Sequence, residues 1–373
     1  MDLTALNRVR DEIVEIDGEH TEKESDLSEG KLPEGIAEAD RGEKRKCGGA
    51  EAGLSGEELD GKKDESSATK KLKIASISEG LSYEVVEEEG QIEPALKKLR
   101  EPGEGLPLFA VDLEGEKLSR AGELVILSAA TEKHTFLFNI KKLGPGVFDK
   151  GLRDLLQDPD RQKLMFDCRQ DSDCLWHQYS VKLTNVLDLQ VMEVVHRGDH
   201  MKQNAVVAML AYSSSGYLPR VNGFKKCLQK YNVQDQGILQ AKERGSQVMK
   251  REGVWLEQPL QKALLEYSAA DVMGFYKLYE KLKSAVRLNN HAVVEASKNY
   301  LEFFRSRAVR TNDTFERNGF VPWRIFPTTP GTGPITTCQK CRQGFPSSDF
   351  NQRGQHICPV CVKVTKEVNK GWY

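Results

Sequence analysis

The sequence predicts a mixed α/β fold, one sheet flanked by helices, between a disordered acidic N-terminal tail and a small cysteine-rich C-terminal module. Three observations carry this. The middle of the chain alternates short β-branched and aromatic runs with amphipathic stretches. Residues 1–80 hold few aromatics and long polar runs such as EKRKCGGAEAGLSGEELDGKKDESS, too little apolar surface to offset the entropy of ordering them. Four of the eight cysteines crowd into residues 338–361.

Taken in order, SYEVVEEEG reads as a short strand and QIEPALKKLRE as a helix. LPLFAVDLEG reads as a buried strand that ends at its acidic residues. ELVILSAAT and HTFLFNI read as two further strands, the first joined to its predecessor through the turn-like GEKLSRAG. A hairpin meander thus leads into helices. GVFDKGLRDLLQDP is amphipathic and expected as a helix, KLMFD as a short strand, and QDSDCLWHQYS as a helix with acids at its start. TNVLDLQVMEVVHR continues the alternation and GFKKCLQKYN is a helix. QPLQKALLEYSAADVMGFYKLYEKLKSAV is a long helical stretch from near Pro259, with an apolar stripe through Leu264, Tyr267, Ala270, Val272 and Phe275. Tyr267 and Asp271, four residues apart, share one face of it.

The near-neutral net charge of −2 hides a polarised chain. Residues 1–80 carry 13 basic and 21 acidic side chains, residues 81–300 carry 30 of each, and residues 301–373 carry 11 and 5. An acidic tail and a basic end can contact each other, or the tail can compete with a polyanion or take a protein partner; a tail that only keeps the protein soluble is the alternative. The first residues lack the apolar core of a signal peptide, are too acidic for a transit peptide, and no run approaches membrane-spanning length. A soluble cytoplasmic protein is expected, with nuclear import through Lys44–Lys46 or Lys70, Lys71 and Lys73 as the alternative.

Cys47, Cys168, Cys174 and Cys227 show no ligand spacing and are expected to be reduced thiols. Cys338, Cys341, Cys358 and Cys361 follow C-x2-C-x16-C-x2-C, the spacing of two knuckles closing a tetrahedral thiolate site around one structural Zn2+. The surrounding segment is rich in Gly, Pro, Ser and Thr, so metal binding would supply its folding free energy; a redox dithiol pair is the alternative.

The chemistry lies in widely separated acids. Asp112 and Glu114 sit in FAVDLEG directly after a buried run, Asp171 in FDCRQDSDCLW, and Tyr267 and Asp271 in EYSAADV. Carboxylates gathered in one cleft need a cation or a raised pKa, which points to divalent metal and phosphodiester chemistry. These segments, in this order, resemble the three motifs of the DEDD superfamily of 3'-5' exonucleases. The likeness is strongest to the ribonuclease D branch and the Egalitarian-like exonuclease-domain proteins, and it covers roughly residues 81–285, including WLEQPL. Y-x3-D at Tyr267 and Asp271 places the chain in the tyrosine subclass.

The resemblance implies a ribonuclease H-like exonuclease domain over residues 81–287; the rest of the chain is expected as a helix and linker over 288–335 and, from the cysteine spacing, the zinc module over 336–365. It implies two Mg2+ or Mn2+ ions clamping the attacking and leaving oxygens. Asp112, Glu114 and Asp271 would hold one; Asp112 and, through water, Asp171 would hold the other. Tyr267 would orient the attacking water, Asp167 would stand at a strand end, Asp173 would face solvent, and Asp188 would be structural. The implied activity is 3'-5' hydrolysis of single-stranded nucleic acid, RNA before DNA; the alternative is a catalytically idle RNA-binding adaptor. Arg305, Arg307, Arg310, Arg324, Lys340, Arg342 and Arg353 lie among Phe303, Phe304, Trp323, Phe326, Phe345 and Phe350. That mixture suits phosphate grip and base stacking, or equally the docking of the zinc module.

Overall fold

A computed structural model of the chain describes residues 81–101, 108–199, 218–306, 314–326, 331–350 and 356–370. The acidic tail, its basic clusters and Cys47 lie outside the described residues, as do Arg307, Arg310 and Arg353.

The β-branched and aromatic runs form the strands of one six-stranded mixed sheet, ordered β1-β4-β3-β2-β5-β6. The strands are β1 (Glu84–Val86), β2 (Leu108–Glu116), β3 (Glu123–Ala130), β4 (Thr135–Asn139), β5 (Gln162–Met165) and β6 (Val186–Asp188). β2, β3 and β4 form the expected antiparallel meander, while β1 pairs parallel to β4, and β5 and β6 extend the other edge in parallel. Phe109, Val111 and Leu113 alternate along β2 and are buried, as are Phe136 and Phe138 on β4. Period-two alternation therefore sends Asp112 and Glu114 together to the opposite face.

β2 does not stop at these acids. It pairs with β3 through Glu116, with a register shift between Glu114 and Gly115. A Cβ on Gly115 would lie 1.9 Å from the Glu123 carbonyl oxygen, so only glycine allows that approach. The acids are thus held within a paired strand rather than released into a turn.

The helices are α1 (Ile92–Arg100), α2 (Ile140–Leu143), α3 (Leu152–Gln157), α4 (Arg169–Tyr179), α5 (Leu189–Asp199), α6 (Phe224–Lys230), α7 (Gln236–Val248), α8 (Lys262–Arg305) and α9 (Pro359–Val368). GVFDKGLRDLLQDP is not one helix. A 3-10 turn over Pro145–Lys150 ends at Gly151, whose φ of 107° breaks the helical path before α3 begins. The long stretch expected from Pro259 starts at Lys262 and runs 44 residues, well past Val286; at 1.5 Å per residue it extends about 66 Å. It packs against β2 to β6 and against α4, α5 and α7, so it ties the sheet to the helical layer. Tyr276 on α8 donates its hydroxyl to the Ala130 carbonyl (2.8 Å) and accepts from the Ala110 amide (3.3 Å), which sets its register against β2 and β3.

The C-terminal module is a hairpin of β7 (Ile335–Thr337) and β8 (Gly344–Pro346) followed by α9. Phe320 belongs to its small core, while the neighbouring Val321 belongs to the main core. The strap containing both residues pairs with residues 219–221 through Val221 N–H to Gly319 O (3.0 Å) and Val321 N–H to Pro219 O (2.8 Å). Among the described residues, no helix is long and apolar enough to cross a membrane.

α7 is an element the sequence reading did not identify. Its buried residues Ile238, Ala241, Lys242 and Gly245 fall at i, i+3, i+4 and i+7, a single helical stripe laid on α8. A Cβ on Gly245 would come within 2.5 Å of the Tyr267 side chain. Gly245→Val is therefore expected to overpack this seam and lower stability by about 2 kcal/mol, measured by chemical denaturation.

Candidate active site

Three elements deliver the site. β2 presents Asp112 and Glu114 from one face, α8 brings Asp271, and the first turn of α4 brings Asp171. Carboxylate oxygens of Asp112, Glu114 and Asp271 lie within 4.8 Å of one another. Asp171, 6% exposed, joins them through β2: the Leu113 amide, between the two strand acids, donates to its Oδ1 at 3.2 Å.

The electrostatics follow from this crowding. Burial, then the charge of Asp271, then those of Glu114 and Asp171, push the Asp112 carboxyl well above its usual range. Burial and then Asp271 do the same to Glu114. Burial raises Asp171 to about 8, opposed by backbone N–H donors that include Leu113. Burial raises Asp271 too, but Lys242 pulls against it. Asp112, Glu114 and Asp271 held this way could take a hard cation, with Asp171 beside them, and an all-carboxylate donor set suits Mg2+ or Mn2+.

Lys242 on α7 is the one cation inside this group among the described residues. Its Nζ donates to both oxygens of Asp271, at 2.5 and 2.6 Å, and lies 3.2 Å from the Tyr267 ring centroid. Lys242 and Asp271 are 4% and 5% exposed. The sequence reading missed Lys242 because nothing in GILQAKERGSQ marks it as more than a surface lysine; the signal was its place in the buried stripe of α7. Tyr267, half-buried beneath Gly245, has its phenol pushed far up by burial and by Asp271, Glu114 and Asp112. It stays protonated and can donate a hydrogen bond, but it is not a base.

The remaining acids have other partners. Asp173 does not face solvent: it is 3% exposed and forms an ion pair with Arg120 (2.6 Å), whose backbone amide also donates to it (2.8 Å). On α4 it points toward the β2–β3 connection, where Arg120 offsets its charge. Asp167, just after β5 at a φ of 59°, pairs with Arg169 (2.7 Å). Asp188 accepts from the amides of Cys168 (2.9 Å), Gln190 (2.9 Å) and Val191 (3.1 Å), anchoring the start of α5; burial still raises it to about 6.

The Sγ atoms of Cys338, Cys341, Cys358 and Cys361 lie within 4.8 Å of one another, and those of Cys341 and Cys358 are 3.7 Å apart. A tetrahedron with metal–sulfur bonds of about 2.3 Å has edges of about 3.8 Å, so the residues fit Zn2+. The Cys358 amide donates to Cys338 Sγ (3.3 Å), tying the second knuckle to the first. Cys168, Cys174 and Cys227 are buried free thiols.

The basic and aromatic residues near the C-terminus that are described divide between core packing, contacts to Asp349 and solvent exposure. Arg305 is buried, bonded to the Leu183 carbonyl (3.0 Å) and paired with Glu302. Arg324 pairs with Asp349, which also accepts from Trp323 Nε1 (2.8 Å). Phe304, Phe326 and Phe345 are buried, whereas Lys340 and Arg342 are exposed.

Residues 83–287, more than half of the chain, match a protein-family model described as 3'-5' exonuclease. The chain is similar to piRNA biogenesis protein EXD1 of Mus musculus, 31% identical over 166 residues, 44% of this chain and 27% of that protein. It is also similar to EXD1 of Xenopus laevis, 27% identical over 228 residues, 58% of this chain and 47% of that protein. The match spans less than half the length of these relatives. Among solved structures, Trypanosoma brucei RNase D aligns with a TM-score of 0.50 and 25% identity over 64% of this chain and 78% of that one. The same enzyme in complex with RNA U12 has a TM-score of 0.52 at 23% identity, covering 77% and 95%, a likeness of fold.

Two measurements check this geometry. The site carboxyls have folded pKa values above their unfolded values near 4, so their contribution to stability is complete below about pH 4 and is lost as pH rises through the folded pKa. In zinc-loaded protein without Mg2+ or Mn2+, the melting temperature is expected to fall as pH rises from about 4 through about 8, the value to which burial lifts Asp171, and Asp171→Asn should flatten that slope. By contrast, Asp173→Ala removes the buried carboxylate that receives the Arg120 guanidinium, leaving that charge the neutral Phe304 carbonyl (2.9 Å), and should destabilise by about 3 kcal/mol in denaturant titrations, without altering Mn2+ affinity.

Proposed function

The chain belongs to the 3'-5' exonuclease family, with a domain of the DEDD, ribonuclease D-like type, and from that premise we propose that it hydrolyses single-stranded nucleic acid from the 3' end, RNA before DNA. The observation that carries the reading is the meeting of Asp112, Glu114 and Asp271 within 4.8 Å, with Asp171 joined through the Leu113 amide. Asp112, Glu114 and Asp271 would hold one Mg2+ or Mn2+ ion, and Asp112 with Asp171 a second. When bound, these ions would lower the pKa of the attacking water and stabilise the leaving 3' oxygen. The chain's own part is to fix the carboxylates on strand and helix so that little reorganisation is needed during reaction. Tyr267, kept protonated, would orient the water by hydrogen bonding.

RNA is favoured over DNA because the similar RNase D is described with RNA and the EXD1 relatives are described by piRNA biogenesis. The four cysteines would hold one structural Zn2+, and the module they build would dock beside the exonuclease domain with exposed Lys340 and Arg342 available to phosphate. We propose a cytoplasmic location, with the nucleus as the alternative, compartments in which the free thiols among the described residues would stay reduced. A second reading, an RNA-binding platform that does not hydrolyse, is favoured by one observation: both Asp271 oxygens are engaged by Lys242.

The test is incubation of the full chain with 5'-labelled single-stranded RNA and DNA in Mg2+, Mn2+ or chelator. Metal-dependent shortening of RNA is expected. Asp112→Ala should abolish it with the fold intact, and Tyr267→Phe should slow it on the order of tenfold to a hundredfold with metal affinity unchanged. RNA binding without shortening under every condition would leave only the platform reading.

A further inference from the structure

Lys242 is placed by its helix with little freedom. Asp235 caps α7 by accepting from the Ile238 amide (3.2 Å), Arg244 pairs with Glu266 of α8 (2.9 Å), and Gly245 lies against Tyr267. Between those anchors the Lys242 side chain enters the carboxylate cluster. Its ammonium lies over the Tyr267 ring and 5.6 Å from the Phe224 ring centroid, with Asp271 as its carboxylate partner. A lysine so buried requires a countercharge, and here the countercharge is an acid also required for metal.

We propose that Lys242 is a tethered competitor for the divalent cation: its ammonium and a metal ion contend for the two oxygens of Asp271, so metal loads only when Lys242 leaves that carboxylate. The inference rests on the metal-site reading above and adds to it a residue that sets metal affinity. Two considerations carry it. Both Asp271 oxygens accept from Nζ at 2.5 and 2.6 Å, which leaves no Asp271 oxygen facing Asp112 and Glu114 without a cation already on it. A metal ion added beside an ammonium retained there would also meet like-charge repulsion in a poorly solvated cleft, where two unit charges about 4 Å apart cost several kcal/mol at an effective dielectric near 20. The unbranched four-carbon stem lets the ammonium swing away by rotamer change while α7 stays pinned by Arg244 and Gly245.

The experiment is calorimetric titration of Mn2+ into the zinc-loaded full chain, wild type against Lys242→Met. The Met variant is expected to bind Mn2+ at least about tenfold more tightly, and Mn2+ should raise its melting temperature by more than it raises that of wild type. Mn2+ binding with an unchanged or weaker affinity in the variant would overturn the proposal while leaving the metal site standing. No Mn2+ binding by either protein would overturn the metal-site reading and this proposal together. Should Lys242→Met fail to fold, amine-reactive labelling of wild type read by mass spectrometry takes its place. Lys242 is expected to be protected without Mn2+ and labelled once Mn2+ binds; equal labelling in both conditions while Mn2+ binds would overturn the proposal.

Discussion

Like charges crowded into one partly buried cleft are the constraint around which this domain is arranged. Asp112, Glu114 and Asp271 share one small volume, Asp171 approaches from α4, and burial makes each costly to ionise. Such a cluster persists only if the scaffold holding it is stiff. β2 supplies stiffness by pairing on both edges, with β3 and β5, and the approach at Gly115 keeps Glu114 in the paired part of the strand. α8 supplies the rest, since Tyr276 bonds it to the backbone of both β2 and β3.

The other acids show how the fold avoids adding to that burden. Asp173, one helical position pair from Asp171, turns toward Arg120 and is neutralised there. Asp167 is taken by Arg169, whose guanidinium in turn lies 4.5 Å from the Tyr300 ring centroid. Asp188 spends its oxygens on three backbone amides. Each of these acids has a committed donor, while Asp112, Glu114 and Asp271 have each other and Lys242, and Asp171 has the Leu113 amide. Partner chemistry, rather than acidity, separates the two sets.

The C-terminal module extends the same logic to a segment with almost no core. Among the described residues its cluster has eight buried members, four of them the cysteines, so the cysteines are half of its fully buried core. Its attachment is polar as well as apolar: Asp349 receives Arg324 and Trp323, and Glu367 receives Arg220. Of the basic and aromatic residues that suit nucleic acid on composition alone, Arg324 and Trp323 are consumed by this docking, while Lys340 and Arg342 stay exposed.

Legibility in the sequence tracked the range of the interaction. Alternation and local spacing were enough for the strand meander, for the shared face of Tyr267 and Asp271 on a helix, and for the two cysteine knuckles, because each depends on neighbours a few residues away. The break at Gly151 was missed because a positive φ interrupts a helix without disturbing its amphipathic pattern. The inward turn of Asp173 was missed because its partner, Arg120, comes from another element 53 residues away. Lys242 was missed for the same reason: 29 residues separate it from Asp271, and only the packing of α7 on α8 makes a lysine in a polar stretch part of the site. By itself, then, the sequence determined which local element carries each motif acid, since residue type and local period set direction. The tertiary structure alone decided which charges stand among them, because countercharges in a buried cleft are chosen by distance in space and not along the chain.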